Sequence, residues 1–196
     1  LDESMTLNLP VIEAFLEKHQ GKRILLFGFT FMVWQHFYQE LKTSSHQIDL
    51  SNALLIHGGG WKKLQSEAVT PEVFAESLNE LFALPAVHDY YGMVEQTGCI
   101  YMQCEHGHLH TSIFSDVIVR DPHDFSVLPN GHSGIIQVIS LLPESYPGHA
   151  LLTEDEGVIL GEDDCDCGRK GKYMRILGRL KKAELRGCSD TYAAQS

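Results

Sequence analysis

The sequence is short of positive charge: 15 Lys+Arg stand against 26 Asp+Glu in 196 residues, a formal net charge of −11. Binding to nucleic acid or to anionic membranes draws on summed positive charge, so neither is an expected partner and any phosphate binding has to be local. Long hydrophobic runs are also missing. No stretch approaches the roughly 18 apolar residues of a membrane-spanning helix, and the opening LDESMTLNLP has no basic segment leading into an apolar core. A membrane span and a secretory signal are therefore not expected, and the chain is expected in the cytoplasm. There is no internal repeat and no low-complexity linker, which favours one structural unit. The chain starts at Leu1 rather than Met, and so reads as a piece of something longer.

What is present is enough for a core. Hydrophobic residues make up 43% of the chain, and a domain of this length buries roughly 70% of the surface its unfolded form exposes. Residues 7–20, LNLPVIEAFLEKHQ, place Leu9, Ile12, Phe15 and Leu16 at helical spacing, with Gly21 as the stop. Arg23–Phe29, RILLFGF, is a short continuous apolar run of the kind buried on both faces of a parallel sheet. FMVWQHFYQELK then has helical spacing, Asn52–Ile56 is apolar, Pro71–Leu84 predicts a helix and Ala86–Tyr91 a strand. This alternation predicts an α/β unit with a mainly parallel sheet.

Beyond it, Ile100–Cys104, His110–Val119, Gly134–Leu142, His149–Leu152 and Lys172–Ile176 are β-like runs separated by DPHD, LPNGHSG, PESYPG and GEDDCDCG. Close spacing with Gly, Pro and Asn turns predicts a small antiparallel, β-rich part. The division expected is an α/β nucleotide- and acyl-binding part over 1–98, a β-rich subdomain over 99–178, and a hinge-like segment and tail over 179–196.

Two strand ends carry chemistry. His57-Gly58-Gly59-Gly60-Trp61 follows an apolar strand, and three glycines let a flat ring or a phosphate approach the backbone, although a tight turn would use the same residues. In Val87-His88-Asp89-Tyr90-Tyr91-Gly92-Met93-Val94-Glu95, an aromatic could stack on a base and a carboxylate three residues beyond the Gly could meet a metal–phosphate group. A tyrosine packed on a turn, with Glu95 in solvent, is the plainer alternative. A third constellation is metal-like: Cys165-Asp166-Cys167-Gly168 and Cys104-Glu105-His106-Gly107-His108-Leu109-His110 lie about sixty residues apart. Spacing leaves open a closed zinc site or core thiols beside a surface His strip. His88 beside Asp89 reads as a polar turn pair. The aromatics Phe29, Phe31, Trp34, Phe37 and Tyr38 read as core, Glu162-Asp163-Asp164 as a solvated turn, and Cys99 as a small buried residue.

Tyr91-Gly92-Met93-Val94-Glu95 resembles the Tyr-Gly-x-Thr-Glu motif of adenylate-forming acyl ligases, which include acyl-CoA synthetases and phenylacetate–CoA ligases. In the same order, Pro129–Ile136 is similar to the family's Gly-x-x-Gly-Glu-Leu segment, Leu152-Thr153-Glu154-Asp155 to its ribose-binding segment, and Leu177–Lys182 to its hinge. RILLFGFTFMVW, HGGGWKK, YYGMVEQTG and ELRGCSD most resemble the acyl-protein synthetases of bacterial luminescence. In that branch ATP and a fatty acid form an acyl-adenylate, and the acyl group passes through a C-terminal cysteine to a reductase.

The resemblance implies that Gly58, Gly59 and Gly60 line the adenine and acyl pocket, and that Tyr91 stacks on adenine with Asp89, Tyr90 and Gly92 in the same site. It further implies that Asp155 and Arg179 bind ribose and that Glu95 helps hold Mg²⁺. Cys188 would be the acyl acceptor, and Lys181 joins Glu95 and Cys188 in the catalytic set. Lys181, Lys182 and Arg186 are positive charges that would lower the Cys188 thiol pKa. In the phenylacetate branch a similar Cys/His pattern holds structural zinc, which implies Cys104, His110, Cys165 and Cys167 as ligands, with His108 the substitute for His110. The expected cofactors are thus ATP/AMP, Mg²⁺ and Zn²⁺, and the expected partners a fatty or other carboxylic acid and an acyl reductase protein.

The sequence departs from the family at Val94, where a Thr is usual, and at Lys181 and Lys182, where acids are usual. The Ser/Thr/Gly-rich triphosphate loop is absent, since Lys42-Thr43-Ser44-Ser45-His46 has no glycine. The expectation is a C-terminal fragment of a ligase with little or no activity alone. A zinc-stabilised nucleotide-binding or interaction module is the alternative, and a zinc hydrolase using His106, His108 and His110 ranks last because four protein ligands leave no open position.

Overall fold

The computed structural model describes residues 2, 6–44, 46–61 and 66–180. It forms two compact units, one drawn from residues 1–91 and 102–107, the other from 92–101 and 108–196. The first is the parallel α/β part and the second is β-rich, as the alternation and the turn spacing predict.

In the first unit α1 (Leu9–Lys18) starts where the Asn8 side chain accepts from the Val11 N–H at 3.3 Å, with Pro10 in its first turn. Its Leu9, Ile12 and Leu16 pack on the core, whereas Phe15 is 47% exposed and lies against the His19 ring. Strands β1 (Ile24–Phe29), β2 (Ala53–Gly58) and β3 (Ala86–Gly92) pair in parallel in the order β1–β2–β3. Between β1 and β2 runs one continuous helical stretch: α2 (Thr30–Met32), a seven-residue π-helix (Val33–Gln39) and α3 (Glu40–Thr43). Its wide turns line up Trp34, Tyr38 and Leu41 on the buried side, and the Trp34 and Tyr38 rings stack at 4.5 Å.

Helix α4 (Pro71–Phe82) is capped by Thr70, whose hydroxyl accepts from the Val73 N–H. It stops two residues before the expected Leu84. Ala83 turns left-handed (φ 54°), and the Asn79 side chain donates to the Leu84 carbonyl at 2.9 Å. Trp34, Tyr38, Leu41, Phe74, Leu78 and Phe82 meet Ala53 and Leu55 in one core, so the aromatics at 34 and 38 are core residues.

One expectation fails at β1. Ile24 and Leu26 pack inward, but Leu25 is 62% and Phe27 67% exposed, so the strand is buried on one face only. A run of apolar residues carries no alternation to mark which face is covered.

The second unit contains β5 (Leu109–His110), β6 (Ser115–Arg120), β7 (Ser133–Ser140), β8 (Ala150–Glu162) and β9 (Lys172–Arg179), while β4 (Ile100–Gln103) lies at the changeover between units. Strands β6 and β7, β7 and β8, β8 and β9, and β9 and β5 pair antiparallel. Val117, Val119, Ile136, Val138, Ile159 and Met174 form its buried interior. The run 110–119 is two strands rather than one. Strand β8 runs well past the expected Leu152, because Glu154 points to solvent and the register shifts at Glu156/Gly157 and Ile159/Gly161. No helix among the described residues is long and apolar enough to cross a membrane.

Leu78, fully buried in α4, and Leu25 test the two faces of the first unit. Leu78→Ala should lower stability by about 2–5 kcal/mol in urea denaturation. Leu25→Ser should change it by about 0.5 kcal/mol or less.

Candidate functional site

Parallel pairing brings three strand ends level, with Gly28 opposite His57, Phe29 opposite Gly58, and His57 opposite Asp89. In open α/β sheets this carboxyl end is where ligands bind, because the strand-to-helix loops leave backbone groups unpaired. Gly58 ends β2 with no room for a side chain: an added Cβ would lie 2.5 Å from the Tyr90 ring, which covers it and stacks on Phe27 at 5.9 Å. Gly59 takes φ +78°, a conformation suited to glycine, and both Gly59 and Gly60 are exposed. Trp61 meets Trp34 edge-on at 5.7 Å. By alternation along β3, Tyr91 shares the face of Asp89, whereas Tyr90 lies on the opposite one.

The structure also assembles a polar group that the sequence did not single out. The Thr30 hydroxyl donates to the Gly58 carbonyl at 3.2 Å and lies 2.9 Å from His57 Nδ1. The Thr30 hydroxyl thus links the end of β2 to the imidazole. Asp89 Oδ1 lies 3.8 Å from the same nitrogen, and the Asp89 N–H donates to Gln103 Oε1 at 2.9 Å. Asp89 Oδ1 thus faces His57 across the sheet, beyond hydrogen-bond distance. The detectable signal was positional: Thr30 follows apolar β1, and His57 is the polar residue near the end of apolar β2.

Burial dominates both titrations. It pushes His57 down to about 4, with help from the nearby His88 charge. It pushes Asp89 up to about 7 against the lowering effect of the Tyr90 backbone N–H. Asp89 Oδ1 is turned inward while the side chain as a whole is 39% exposed, so water reaches its outer oxygen.

In the second unit Glu95 is exposed in a short 3₁₀ turn (Val94–Gln96), which is anchored by the buried Gln96 donating to the Gly148 carbonyl at 2.9 Å. Gly92 belongs to this unit and is exposed. Asp155 and Arg179 are opposite each other on β8 and β9, with Arg179 Nε 3.7 Å from Asp155 Oδ1 and its Nη2 3.0 Å from Glu154 Oε2. Lys181 and Cys188 lie outside the described residues.

The metal-ligand residues converge. The ligand atoms of Cys104, His110, Cys165 and Cys167 all lie within 4.8 Å of one another, and only Cys167 is not buried. Cys167 Sγ is 3.4 Å from His110 Nε2 and accepts from the Arg169 N–H at 3.4 Å. Thiolates on one tetrahedral zinc, with bonds of about 2.3 Å, stand about 3.8 Å apart, so this Cys₃His set could bind a metal ion.

With this geometry in hand, comparison with known proteins is informative. The chain matches the acyl-protein synthetase family, LuxE, over residues 6–195. It is 28% identical over 179 residues to the long-chain-fatty-acid–luciferin-component ligase of Vibrio harveyi, covering 88% of this chain and 45% of that protein. It is 23% identical over 184 residues to the ligase of the same name from Aliivibrio fischeri, covering 91% and 47%. The chain thus spans about half the length of these relatives. Among solved structures, a long-chain-fatty-acid-CoA ligase from Archaeoglobus fulgidus is similar with TM-score 0.60 at 16% identity, covering 89% of this chain and 37% of that one. An anthranilate CoA ligase in complex with anthranoyl-AMP is similar with TM-score 0.57 at 14% identity, covering 86% and 32%. These two establish the likeness of fold.

Asp89→Asn tests the carboxyl. In the folded chain Asp89 holds its proton above its ordinary 3.8, so its favourable contribution is present at low pH and is lost as pH rises through about 7. The Asn variant should therefore be more stable than the parent near pH 8, with the advantage shrinking toward pH 5 in paired urea titrations. His57, held neutral, adds stability as pH rises from about 4 to 6.5 in both proteins and cancels in the comparison. An Asn variant less stable near pH 8 would reverse the assignment.

Proposed function

The chain belongs to the acyl-protein synthetase family, and from that we propose that it supplies the nucleotide- and acyl-binding part of an ATP-dependent ligase that activates a fatty acid. The observation that carries this reading is the family match across residues 6–195. The level strand ends and the Asp155–Arg179 pair support it. In this reading Gly58, Gly59 and Gly60 border the adenine and acyl groups, and Tyr91 stacks on adenine with Asp89, Tyr90 and Gly92 beside it. Asp155 and Arg179 take the ribose hydroxyls. Mg²⁺ would be held by Glu95, an exposed hard-oxygen ligand of the type that leaves room for substrate phosphates. It would supply charge neutralisation at the phosphates.

The reaction is in-line attack of the carboxylate on the α-phosphorus of ATP, giving acyl-adenylate and pyrophosphate. The protein's part is positioning and electrostatic stabilisation rather than nucleophilic attack. Cys188 then accepts the acyl group as a thioester with loss of AMP, Lys181 supplies positive charge to the reacting groups, and an acyl reductase is the downstream partner. The cytoplasm is the proposed location. Cys99, Cys104, Cys165 and Cys167 form no disulfide among the described residues, which suits a reducing compartment.

Zn²⁺ fits the Cys104, His110, Cys165 and Cys167 donor set. Four protein ligands complete a tetrahedron and leave no open position, so the metal's contribution would be cross-linking and stability. Chelation should accordingly lower the melting temperature.

The decisive experiment uses the longest natural form containing these residues, with ATP and a radiolabelled long-chain fatty acid. Expected are pyrophosphate exchange and a hydroxylamine-sensitive protein label, with Cys188→Ser abolishing the label and keeping the exchange. Unchanged labelling in Cys188→Ser overturns the acceptor role. Absence of exchange overturns the ligase reading in favour of a zinc-stabilised binding module.

A further inference from the structure

A second imidazole touches the cysteine cluster without belonging to it. His108 Nδ1 lies 3.3 Å from Cys165 Sγ, yet His108 is outside the set whose ligand atoms are all mutually within 4.8 Å. Contact with a sulfur of the set from outside it is the placement of an outer hydrogen-bond partner. His108 and His110, two apart at β5, present their rings to the same side, where Tyr173 stacks on both at 4.9 Å and 5.5 Å with interplanar angles of 28° and 23°. Tyr173 is itself fixed: it is opposite His110 in the β5–β9 pairing, and its hydroxyl bonds Asp164, next to Cys165. Gly161 clears space for that bond, since an added Cβ there would collide with both the Asp164 carboxyl and the Tyr173 hydroxyl.

Charge explains what this arrangement would do. Three thiolates around Zn²⁺ leave a net charge of about −1. Cys104 and Cys165 hold it out of solvent, at 2% and 6% exposure. Buried negative charge needs donors aimed at it. Cys167 receives one from the Arg169 backbone N–H. Resting on the zinc reading above, we propose that His108 is the corresponding positioning residue for Cys165: its Nδ1–H donates to the thiolate, and Tyr173 holds the two imidazoles so that His110 ligates while His108 donates. The two histidines, equivalent by spacing, thereby take different tasks.

The full 196-residue chain tests this. Wild type should bind one Zn²⁺ against a chromogenic chelator, and its Co²⁺ form should show a tetrahedral thiolate spectrum. A wild type that binds no Zn²⁺ overturns the zinc reading itself, before any variant is made. His108→Phe keeps a ring for Tyr173 but removes the donor. It should weaken Zn²⁺ binding about 10-fold or more and move the sulfur-to-cobalt charge-transfer band to lower energy. His108→Asn, which restores an N–H near the Nδ1 position, should recover most of both. Wild-type affinity and band in His108→Phe, or equal weakening in Phe and Asn with the band unmoved, overturns the proposal in favour of packing alone. An assay independent of any variant is ¹¹³Cd-substituted wild type. There the His108 Hδ1 resonance should show coupling to the metal through the hydrogen bond, and an observed Hδ1 without coupling overturns the proposal.

Discussion

The first unit depends on the in-register parallel pairing of β1, β2 and β3. Parallel neighbours require crossovers, and here the 30–43 helical stretch and α4 provide them while packing on the same sheet face. Every strand then points the same way, so all three finish at one edge. Thr30, His57 and Asp89 come from sequence positions up to 59 residues apart and become neighbours because their strands run in parallel register. The buried aromatics beneath, with His57 resting on Phe74 at 4.7 Å, anchor that edge from inside. Thr30 donates to the Gly58 carbonyl and meets His57 Nδ1, linking the ends of β1 and β2, while Asp89 Oδ1 stands 3.8 Å from His57 Nδ1, beyond hydrogen-bond distance.

The second unit follows a different rule. Its antiparallel strands carry the Asp155–Arg179 pair on β8 and β9, and three of the four clustered Cys and His residues, His110, Cys165 and Cys167, belong to it. Sulfur and imidazole do there what aliphatic side chains do elsewhere in this unit. They fill a buried space. The Tyr173 ring serves both purposes, as a packing surface for two imidazoles and, through Asp164, as a link to the turn bearing Cys165.

Much of this was legible beforehand, for reasons that differ residue by residue. Helices α1 and α4 announce themselves by spacing and by Asn8, Thr70 and proline at their starts. The four clustered cysteine and histidine residues are chemically distinctive, and a pair of short clusters in β-rich sequence is a recognisable pattern. The His57–Asp89 contact was hidden because it joins two strands, and register is a tertiary property; locally, His88 looked the better partner for Asp89. Strand β8 was underestimated because Thr153–Glu156 is polar, and an exposed antiparallel face tolerates acids that composition assigns to a loop. His108 and His110 are alike on paper, and only the position of one ring nitrogen relative to several sulfurs separates them.

The open side of β1 bears on how this polypeptide behaves in a tube. Among the described residues the strand pairs only with β2, and it turns Leu25 and Phe27 to water beside the Tyr90 ring. A free backbone edge flanked by apolar side chains is an adhesive stripe for another copy of itself. The surplus of 11 negative charges opposes that contact by mutual repulsion, and salt weakens the repulsion. The colloidal balance of the isolated chain is therefore set by ionic strength: dilute buffer keeps molecules apart, and concentrated electrolyte lets the stripe meet its own kind.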